Sequence, residues 1–309
     1  MSDQYDKNQA IPEQSEVLVP LDGSAFAEAI LPHALLFARW SQSTLTLLQV
    51  VVPSGPPGIA DRLMADTWSE GEQTWGKNYL AETVQRLQPS GVPVKTRHPR
   101  AVLAEQAIAS YAKQQPQVQL IALTTHIRSK LVHALQGSVA EQVFASVSTS
   151  LLLLHPLEGT HSTSGPIVST SYETIIVLLD DSTGAERALH QAASLATLCD
   201  ATLVLVAMPA RLGEEIAVAR QEPSPAGETV QEALTNADSL EEKAQILRSA
   251  IGLRVETTSS GKDPEAFVEW ISSSGQGNVL VVATRAQALE GAEKFLAHEN
   301  VPVLLLANG

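Results

Sequence analysis

Several classes of protein are excluded by what the sequence has little of. It has one cysteine, Cys199, in 309 residues, so neither an internal disulfide nor a thiolate zinc cluster can form. Lys and Arg number 20 against 34 Asp and Glu, and the formal net charge of -14 disfavours nucleic acid as a partner. No secretory signal pattern is present, and no apolar run approaches the ~18 residues that span a membrane. We therefore expect a cytoplasmic protein that binds neither nucleic acid nor membrane.

Motifs for catalysis and metal binding are also missing. The eight histidines are scattered, without the His-x3-His spacing or the neighbouring cysteines of metal sites. Neither a G-x-S-x-G nucleophile elbow nor a G-x-x-x-x-G-K-[ST] phosphate loop nor a G-x-G-x-x-G fingerprint occurs. The sequence therefore predicts no metal site and no enzymatic activity.

An internal repeat organises the chain. Residues 16–47 and 174–205, compared at an offset of 158 without a gap, are identical at 12 of 32 positions. The stretch between the copies is rich in Ser, Thr and Gly and lacks apolar periodicity, as is typical of a linker. We predict four segments: a disordered N-terminal tail (1–14), a first domain (15–156), a linker (157–172) and a second, degenerate domain (173–309).

Strand and helix patterns alternate in both copies. Each begins with an apolar run that stops at an Asp and a Ser suited to N-capping, and a helical pattern follows. In the first copy this helix covers Ala27 to Ala38, with Pro32 in its early turns. Further strands are predicted at Leu45–Val51, near Val94, at Leu120–Leu123 and at Ser150–Leu154, and in the second half at Leu203–Met208, near Val255, at Val279–Val282 and at Val303–Leu306. Further helices are predicted at Trp75–Leu87, Ala104–Lys113, Thr229–Arg248 and Pro264–Ser272. Near-continuous apolar strands separated by helices favour an α/β fold with a doubly wound parallel sheet in each half.

Three segments of the chain carry a family resemblance. The stretch VLVPLDGS (Val17–Ser24), the strand LTLLQVV and the segment QGSVAEQVFASVSTSLLLL resemble the universal stress protein family. The likeness covers nearly the whole chain, twice. It implies two adenine nucleotide alpha hydrolase-like domains related by pseudo-two-fold symmetry, which pair within the chain through their last strands. A further homodimer and an unidentified protein partner stay open.

The resemblance also implies a phosphate loop, because some members of the family bind ATP and others do not. In the ATP-binding branch the fourth strand enters a G-x2-G-x9-G-[ST] loop, whose backbone N–H groups cradle phosphates. Anchored on Gly137, the pattern puts its first two glycines at Thr124 and Ile127. The β-branched Ile resists both a positive φ and close approach of a phosphate. A loop carrying His126, Arg128 and Lys130 could still hold an anion at the helix start. The alternative is a vestigial loop in which Ser138 caps a helix.

Two further positions complete the candidate site. The family implies a place for Asp22 beside the adenosine and for Val50 beside the base, but an Asp between strand and helix also caps helices without a ligand. The candidate residues for ATP or AMP in the first domain are Asp22, Val50, Thr124, His126, Ile127, Arg128, Gly137, Ser138 and Val139.

The second half departs further from the family pattern. Its fourth strand aligns with the first at an offset of 159 and its last strand at 152, so the intervening connection is seven residues shorter. Leu289 and Glu290 then stand where Gly137 and Ser138 stood, and a carboxylate at a helix start repels phosphate. The sequence predicts that this half does not bind ATP.

Two connections, residues 53–76 and 209–228, are long for a compact domain. Each follows the carboxyl end of a strand, so we expect it to cover the candidate cleft or to contact a partner. A solvated excursion is the alternative.

Three functions are compatible with these observations. The first is a nucleotide-binding protein that uses a degraded site in the first domain. The second is a non-catalytic regulatory or scaffold protein of the stress response in which ligand binding has lapsed, and the sequence favours this one slightly. The third, an ATP-hydrolysing enzyme, lacks a base and a second acidic metal ligand.

Overall fold

The computed structural model describes residues 14–52, 70–125, 139–157, 165–180, 183–207, 234, 237, 239–258, 278–287 and 300–307. Within them, the strands are β1 (Glu16–Pro20), β2 (Thr44–Leu48), β3 (Val94–Arg97), β4 (Val118–Thr124), β5 (Ser150–Leu154), β6 (Thr174–Leu179), β7 (Thr202–Ala207), β8 (Val255–Thr258), β9 (Val279–Thr284) and β10 (Val303–Leu306). The helices are α1 (Ala25–Glu28), α2 (Leu31–Trp40), α3 (Glu70–Leu87), α4 (Ala104–Gln114), α5 (Val139–Ser146), α6 (Thr183–Cys199), α7 (Leu240–Ile251) and the single turn α8 (Arg285–Gln287).

All ten strands form one sheet in the order β3-β2-β1-β4-β5-β10-β9-β6-β7-β8. The strands within each half run parallel, and β1, β5, β6 and β10 consist largely of apolar residues buried from solvent. Helices lie against both faces, because a strand that is apolar on both sides must be covered on both sides. The α/β fold class is confirmed.

The two halves meet at β5 and β10, which pair antiparallel. Leu152 lies opposite Leu304, and the flanking pairs are Leu151 with Leu305 and Leu153 with Val303. The strand order reads the same from either edge, so a pseudo-two-fold axis passes through the Leu152–Leu304 pair. Each last strand covers the edge that the other would otherwise expose.

The pairing of neighbouring strands gives the offset in residue number between equivalent positions of the two copies of the repeat. Glu16 pairs with Thr44 and Thr174 with Thr202, which confirms the offset of 158 for the first two strands. The offset of 159 for the fourth strand is wrong, because Val17 pairs with Leu120 while Ile175 pairs with Leu280, and these partners are 160 positions apart. The sequence could not fix this offset, because runs of Val, Leu, Ile and Ala match almost equally well when they are shifted by one residue. A β-bulge between Glu16 and Val17 also shifts the register of the β1–β4 ladder. The later connection in the second half is therefore eight residues shorter than in the first.

The first helix is two helices. α1 ends at Glu28 and α2 begins at Leu31, so the single helix predicted over Ala27 to Ala38 is interrupted at Ala29 and Ile30. Pro32 lies in the first turn of α2, where its missing N–H costs no intrahelical hydrogen bond. The proline is thus compatible with a helix that starts anew.

The other elements lie close to their predicted places. Both last strands have the predicted bounds, while β2 ends at Leu48 and leaves Val51 in an isolated bridge with Arg100. The helix predicted at Pro264–Ser272, the first part of the one predicted at Thr229–Arg248 and the connection 209–228 lie outside the described residues.

Residues 165–172, within the predicted linker, pack onto the first half. The Ile167 N–H donates to the carbonyl of Arg86 (2.9 Å) and the Thr170 N–H to that of Pro32 (3.1 Å). The side chains of Ile167 and Tyr172 are buried. This stretch is therefore attached to α2 and α3 of the first half.

The carboxylate of Glu16, the first residue of β1, is buried at the amino-terminal edge of the sheet. Glu16 is 1% exposed and accepts hydrogen bonds from the Thr46 hydroxyl (3.1 Å), the Lys95 ammonium (3.1 Å) and the Tyr111 hydroxyl (3.2 Å). Burial, followed by the charge of Glu16, raises the pKa of Tyr111. A buried carboxylate with three donors is a stable arrangement.

Candidate functional site

Three of the candidate residues lie at one edge of the first half. Asp22 follows β1, Val50 follows β2 and Thr124 ends β4, and these three strands are neighbours in the order β2-β1-β4. The β1–β2 ladder continues to this edge, where the Leu21 N–H donates to the Leu48 carbonyl (2.9 Å). Ligands of open α/β sheets bind at the carboxyl ends of strands, where the strand order reverses. The topology thus puts Asp22, Val50 and Thr124 at the crevice of the first half, the space beyond the carboxyl ends of β1, β2 and β4.

Asp22 is bound to the start of the first helix. Its Oδ1 accepts from the Ser24 N–H (2.9 Å) and from the Ser24 hydroxyl (2.6 Å). The Ser24 Oγ in turn accepts from the Ala27 N–H (3.0 Å), so Ser24 is the N-cap residue. Asp22 therefore orients the cap, and its exposed carboxylate has a structural role that requires no ligand.

An aromatic side chain lies against Gly23, the residue after Asp22. Gly23 has φ +88°, and a Cβ on it would lie 2.2 Å from the ring of Trp75. The Trp75 indole, 51% exposed, stacks on Tyr79 with ring centroids 5.6 Å apart. Only glycine allows both this φ and this contact. Trp75 thus forms an exposed wall of the crevice.

Trp75 belongs to α3, which changes the interpretation of the connection 53–76. The helix predicted at Trp75–Leu87 begins five residues earlier, at Glu70, so residues 70–74 of this connection are helical and not irregular. Residues 53–69 lie outside the described residues. Near the end of this connection, Trp75 contacts Gly23. That the connection covers the cleft or contacts a partner stays a prediction.

Buried polar atoms lie around Gly76, one residue further along α3. A Cβ there would lie 2.1 Å from Gln49 Oε1 and 2.2 Å from His98 Cε1, so both side chains reach the helix backbone. Gln49 Oε1 is buried and has no hydrogen-bond partner among the described residues, and the same holds for Thr125 Oγ1, directly after β4. Desolvation lowers the pKa of His98 against the opposing effect of a hydrogen bond with the Gln49 backbone, and the charges of Lys77 and Arg100 lower it further.

Sequence reasoning missed these side chains as part of the edge. Gln49 and His98 each follow a strand directly, and Trp75 starts the helical pattern that was predicted. A polar residue at the carboxyl end of an apolar strand was the available signal.

The phosphate loop is not covered by the described residues. His126, Ile127, Arg128, Gly137 and Ser138 lie outside them, so their roles stay predictions. Val139 is the first residue of α5, and its side chain is 40% exposed.

In the second half, a side chain crosses the corresponding crevice. At the offset of 160, Thr284 and Gln287 stand where the loop pattern has Thr124 and Ile127, so Gln287 occupies the second glycine position. Gln287 is 3% exposed; its Oε1 accepts from the Thr284 N–H (2.8 Å) and its Nε2 donates to the Leu178 carbonyl (3.3 Å). The side chain therefore bridges β9 and β6 where a ligand would have to enter.

A cation next to Gln287 is turned away from this crevice. Arg285 lies over the Phe144 ring, 4.2 Å from its centroid, and donates to the carbonyls of Thr149 (3.0 Å) and Phe144. Desolvation lowers the pKa of Arg285. The Arg285 guanidinium therefore contacts the first half across the seam, the boundary at which β5 pairs with β10.

The described residues contain neither a metal-binding cluster nor a membrane-spanning helix. No group of three or more His, Cys, Asp or Glu in this part of the chain could hold a metal ion. No helix among the same residues is long and apolar enough to cross a bilayer.

The fold and this edge define a class: a pair of α/β domains joined through their last strands, each with a crevice at the carboxyl ends of its strands. The model of the universal stress protein family matches residues 15–155 and again 171–306. The chain belongs to the universal stress protein family, as a tandem member.

Known relatives agree with this assignment. A universal stress protein from Mycolicibacterium smegmatis is 30% identical over 142 residues, which are 45% of this chain and 45% of the relative, so the match spans about half of that protein. The crystal structure of a universal stress protein from Archaeoglobus fulgidus aligns with a TM-score of 0.63 at 16% identity, covering 95% of this chain and 96% of that one. A putative universal stress protein from Pseudomonas aeruginosa aligns with a TM-score of 0.52 at 18% identity, over 95% and 93%. At these identities the structural matches show the fold.

Proposed function

We propose that this protein is a non-catalytic regulatory or interaction protein of the stress response, acting in the cytoplasm, whose second half does not bind nucleotide. The observation that carries the proposal is the buried Gln287 side chain, which joins β9 to β6 across the crevice. A nucleotide there would have to displace a side chain that satisfies two backbone groups, and each would then lie buried without a partner. The connection that follows is also eight residues shorter than in the first half.

The absence of catalysis is supported by the chemistry of the first crevice. The Asp22 carboxylate is held by Ser24, and burial favours the neutral form of His98. Phosphoryl transfer needs a metal held by acidic residues and a positioned water or base. Asp22 alone does not supply this set.

A second candidate function, binding of ATP or AMP by the first half, is favoured by the placement of three residues. Asp22, Val50 and Thr124 lie at the carboxyl ends of adjacent strands, and the exposed Trp75 ring against Gly23 offers a surface on which a base could stack. Under this function the loop with His126 and Arg128 holds the phosphates by charge.

Calorimetric titration with ATP and AMP, with and without Mg²⁺, distinguishes the two. The matched variants are Arg128→Ala and Lys113→Ala, the latter removing an exposed cation at the far end of α4. No saturable heat at millimolar nucleotide supports the regulatory role for the whole chain. One site per chain, lost in Arg128→Ala and kept in Lys113→Ala, supports the second candidate. Two sites per chain would overturn the proposal for the second half.

We also infer that the two domains are residues 15–156 and 173–309, joined by the linker 157–172. What supports these bounds is that β5 and β6, the last strand of one unit and the first of the next, lie on either side of residues 155–173.

A further inference from the structure

A pocket of about 130 Å³ lies on one face of the sheet at the seam between the halves. Its floor includes Val17, Leu120 and Leu306, and Phe37 and Trp40 line its side. Polar groups at its boundary come from Ser41, Gln119, Ser150 and Gln191. The Trp40 indole N–H donates to the Ser194 hydroxyl (3.0 Å), which joins α2 to α6 beside the pocket.

The pseudo-two-fold axis assigns a counterpart to each part of this pocket. The offset of 158 relates α2 to α6, and the offset of 152 relates β5 to β10. The resulting pairs are Phe37 with Leu195, Trp40 with Leu198, Ser41 with Cys199, Gln191 with His33, Leu304 with Leu152 and Leu306 with Leu154.

On that symmetry-related side, Tyr172 occupies the space. Its side chain is 1% exposed, and its hydroxyl lies 2.8 Å from His33 Nδ1, in hydrogen-bond contact. The Tyr172 and His33 rings are stacked with centroids 5.8 Å apart. Burial raises the pKa of Tyr172, and the electrostatic interaction with Cys199 acts in the same direction. Its neighbours His33 and Cys199 are the counterparts of Gln191 and Ser41.

The first half has no ring at the matching position. The Ser15 carbonyl accepts from the Thr44 N–H and the Glu173 carbonyl from the Thr202 N–H, so Gln14 corresponds to Tyr172. The Gln14 side chain instead donates to the Gln42 carbonyl (2.8 Å) and accepts from the Thr44 hydroxyl (3.2 Å). The two sides of the seam thus have corresponding backbone positions, but an aromatic ring fills the space on one side only.

We propose that the seam pocket binds a small phenol, a single aromatic ring with one hydroxyl group, in the place that the Tyr172 side chain takes on the other side. The ring fits the volume, since a cavity of about 150 Å³ lined by apolar side chains binds benzene. The hydroxyl faces Gln191, whose amide can both donate and accept, as His33 does for Tyr172.

The test is calorimetric titration of the full chain with 4-methylphenol, the free form of the tyrosine side chain. One saturable site is expected. Toluene, which lacks the hydroxyl, and the Gln191→Leu variant should each weaken binding by up to about tenfold, the effect of one hydrogen bond.

The deciding pair of variants is Gln14→Tyr and Gln14→Ala. Gln14→Tyr supplies a tethered ring and should abolish binding, whereas Gln14→Ala loses the same hydrogen bonds without a ring and should retain it. Tyr172→Ala should bind a second equivalent of 4-methylphenol and regain thermal stability from it. No saturable heat with the natural chain at millimolar ligand, or undiminished binding by Gln14→Tyr, would overturn the proposal whether or not the Tyr172 variant folds.

Discussion

Arg86 joins three parts of the chain, and its replacement gives the sharpest test of the packing. Its guanidinium forms an ion pair with Glu28 (2.7 Å), and its Nε–H donates to the Gly165 carbonyl (3.0 Å). The side chains are 18% and 6% exposed for Arg86 and Glu28, so the pair is largely out of water. The change to make is Arg86→Met, which keeps the aliphatic stem and removes the charge.

The expected loss follows from the burial of Glu28. Removing one partner of a buried ion pair leaves an uncompensated charge and costs about 3–5 kcal/mol. The Gly165 carbonyl loses a charged donor as well, for about 1 kcal/mol more. At roughly 2–4 °C per kcal/mol, the melting temperature should fall by on the order of 10 °C.

The measurement is the free energy of unfolding from urea titration followed by circular dichroism. A second variant, Glu28→Gln with Arg86→Met, removes the stranded charge and should recover about half of the loss. Arg254→Met, which breaks the exposed pair with Asp200, serves as a control with a much smaller effect. A loss below about 1 kcal/mol in Arg86→Met, or equal losses in the single and double variants, would refute the reasoning.

Two further predictions concern protonation and the seam. Desolvation lowers the pKa values of His98 and His190 below 6.5, so the unfolded chain takes up protons first as the pH falls, and stability that is full above about pH 6.5 declines below it. Urea titrations from pH 7.5 to 5.5 should show a shallower decline for His98→Gln with His190→Gln than for the natural chain; parallel curves would count against this assignment. The fragment 15–156 should fold and dimerise, because without β10 the edge of β5 (Ser150–Leu154) is unpaired. Sedimentation should show the dimer, and a stable monomeric fragment would contradict the role given to this edge.

The fold class was predictable because it depends on local patterns. Val17 to Leu21 and Ile175 to Leu179 are apolar throughout, which is the mark of strands covered on both faces, and each is followed by a helical period. The repeat then places two similar domains in one chain. Last strands made almost wholly of leucine and valine have to be covered, and each covers the other.

The candidate site was predictable only in part. The positions of Asp22, Val50 and Thr124 follow from strand ends, which apolar runs indicate. Which of Asp22 and Ser24 caps the helix was not predictable, because both residue types can accept a hydrogen bond from the N–H groups of a helix start. In the structure Ser24 is the cap and Asp22 accepts from its hydroxyl. Trp75, Gln49 and His98 join the edge through the path of α3 across it, which the periodicity of the helix does not encode.

The sequence by itself thus determined the order of strands and helices and the loss of the glycine pattern, because each is read within a few neighbouring residues. It also determined the duplication, because two segments 158 positions apart have similar residues in the same order. The tertiary structure alone decided the register of β4 and β9, the entry of Gln287 into the second crevice and the burial of Tyr172 at the seam. The physical reason is the distance along the chain: the partners of Gln287 and Tyr172 include Leu178 and His33, more than a hundred residues away. Which of several similar apolar or polar side chains meets such a partner is settled when the elements pack.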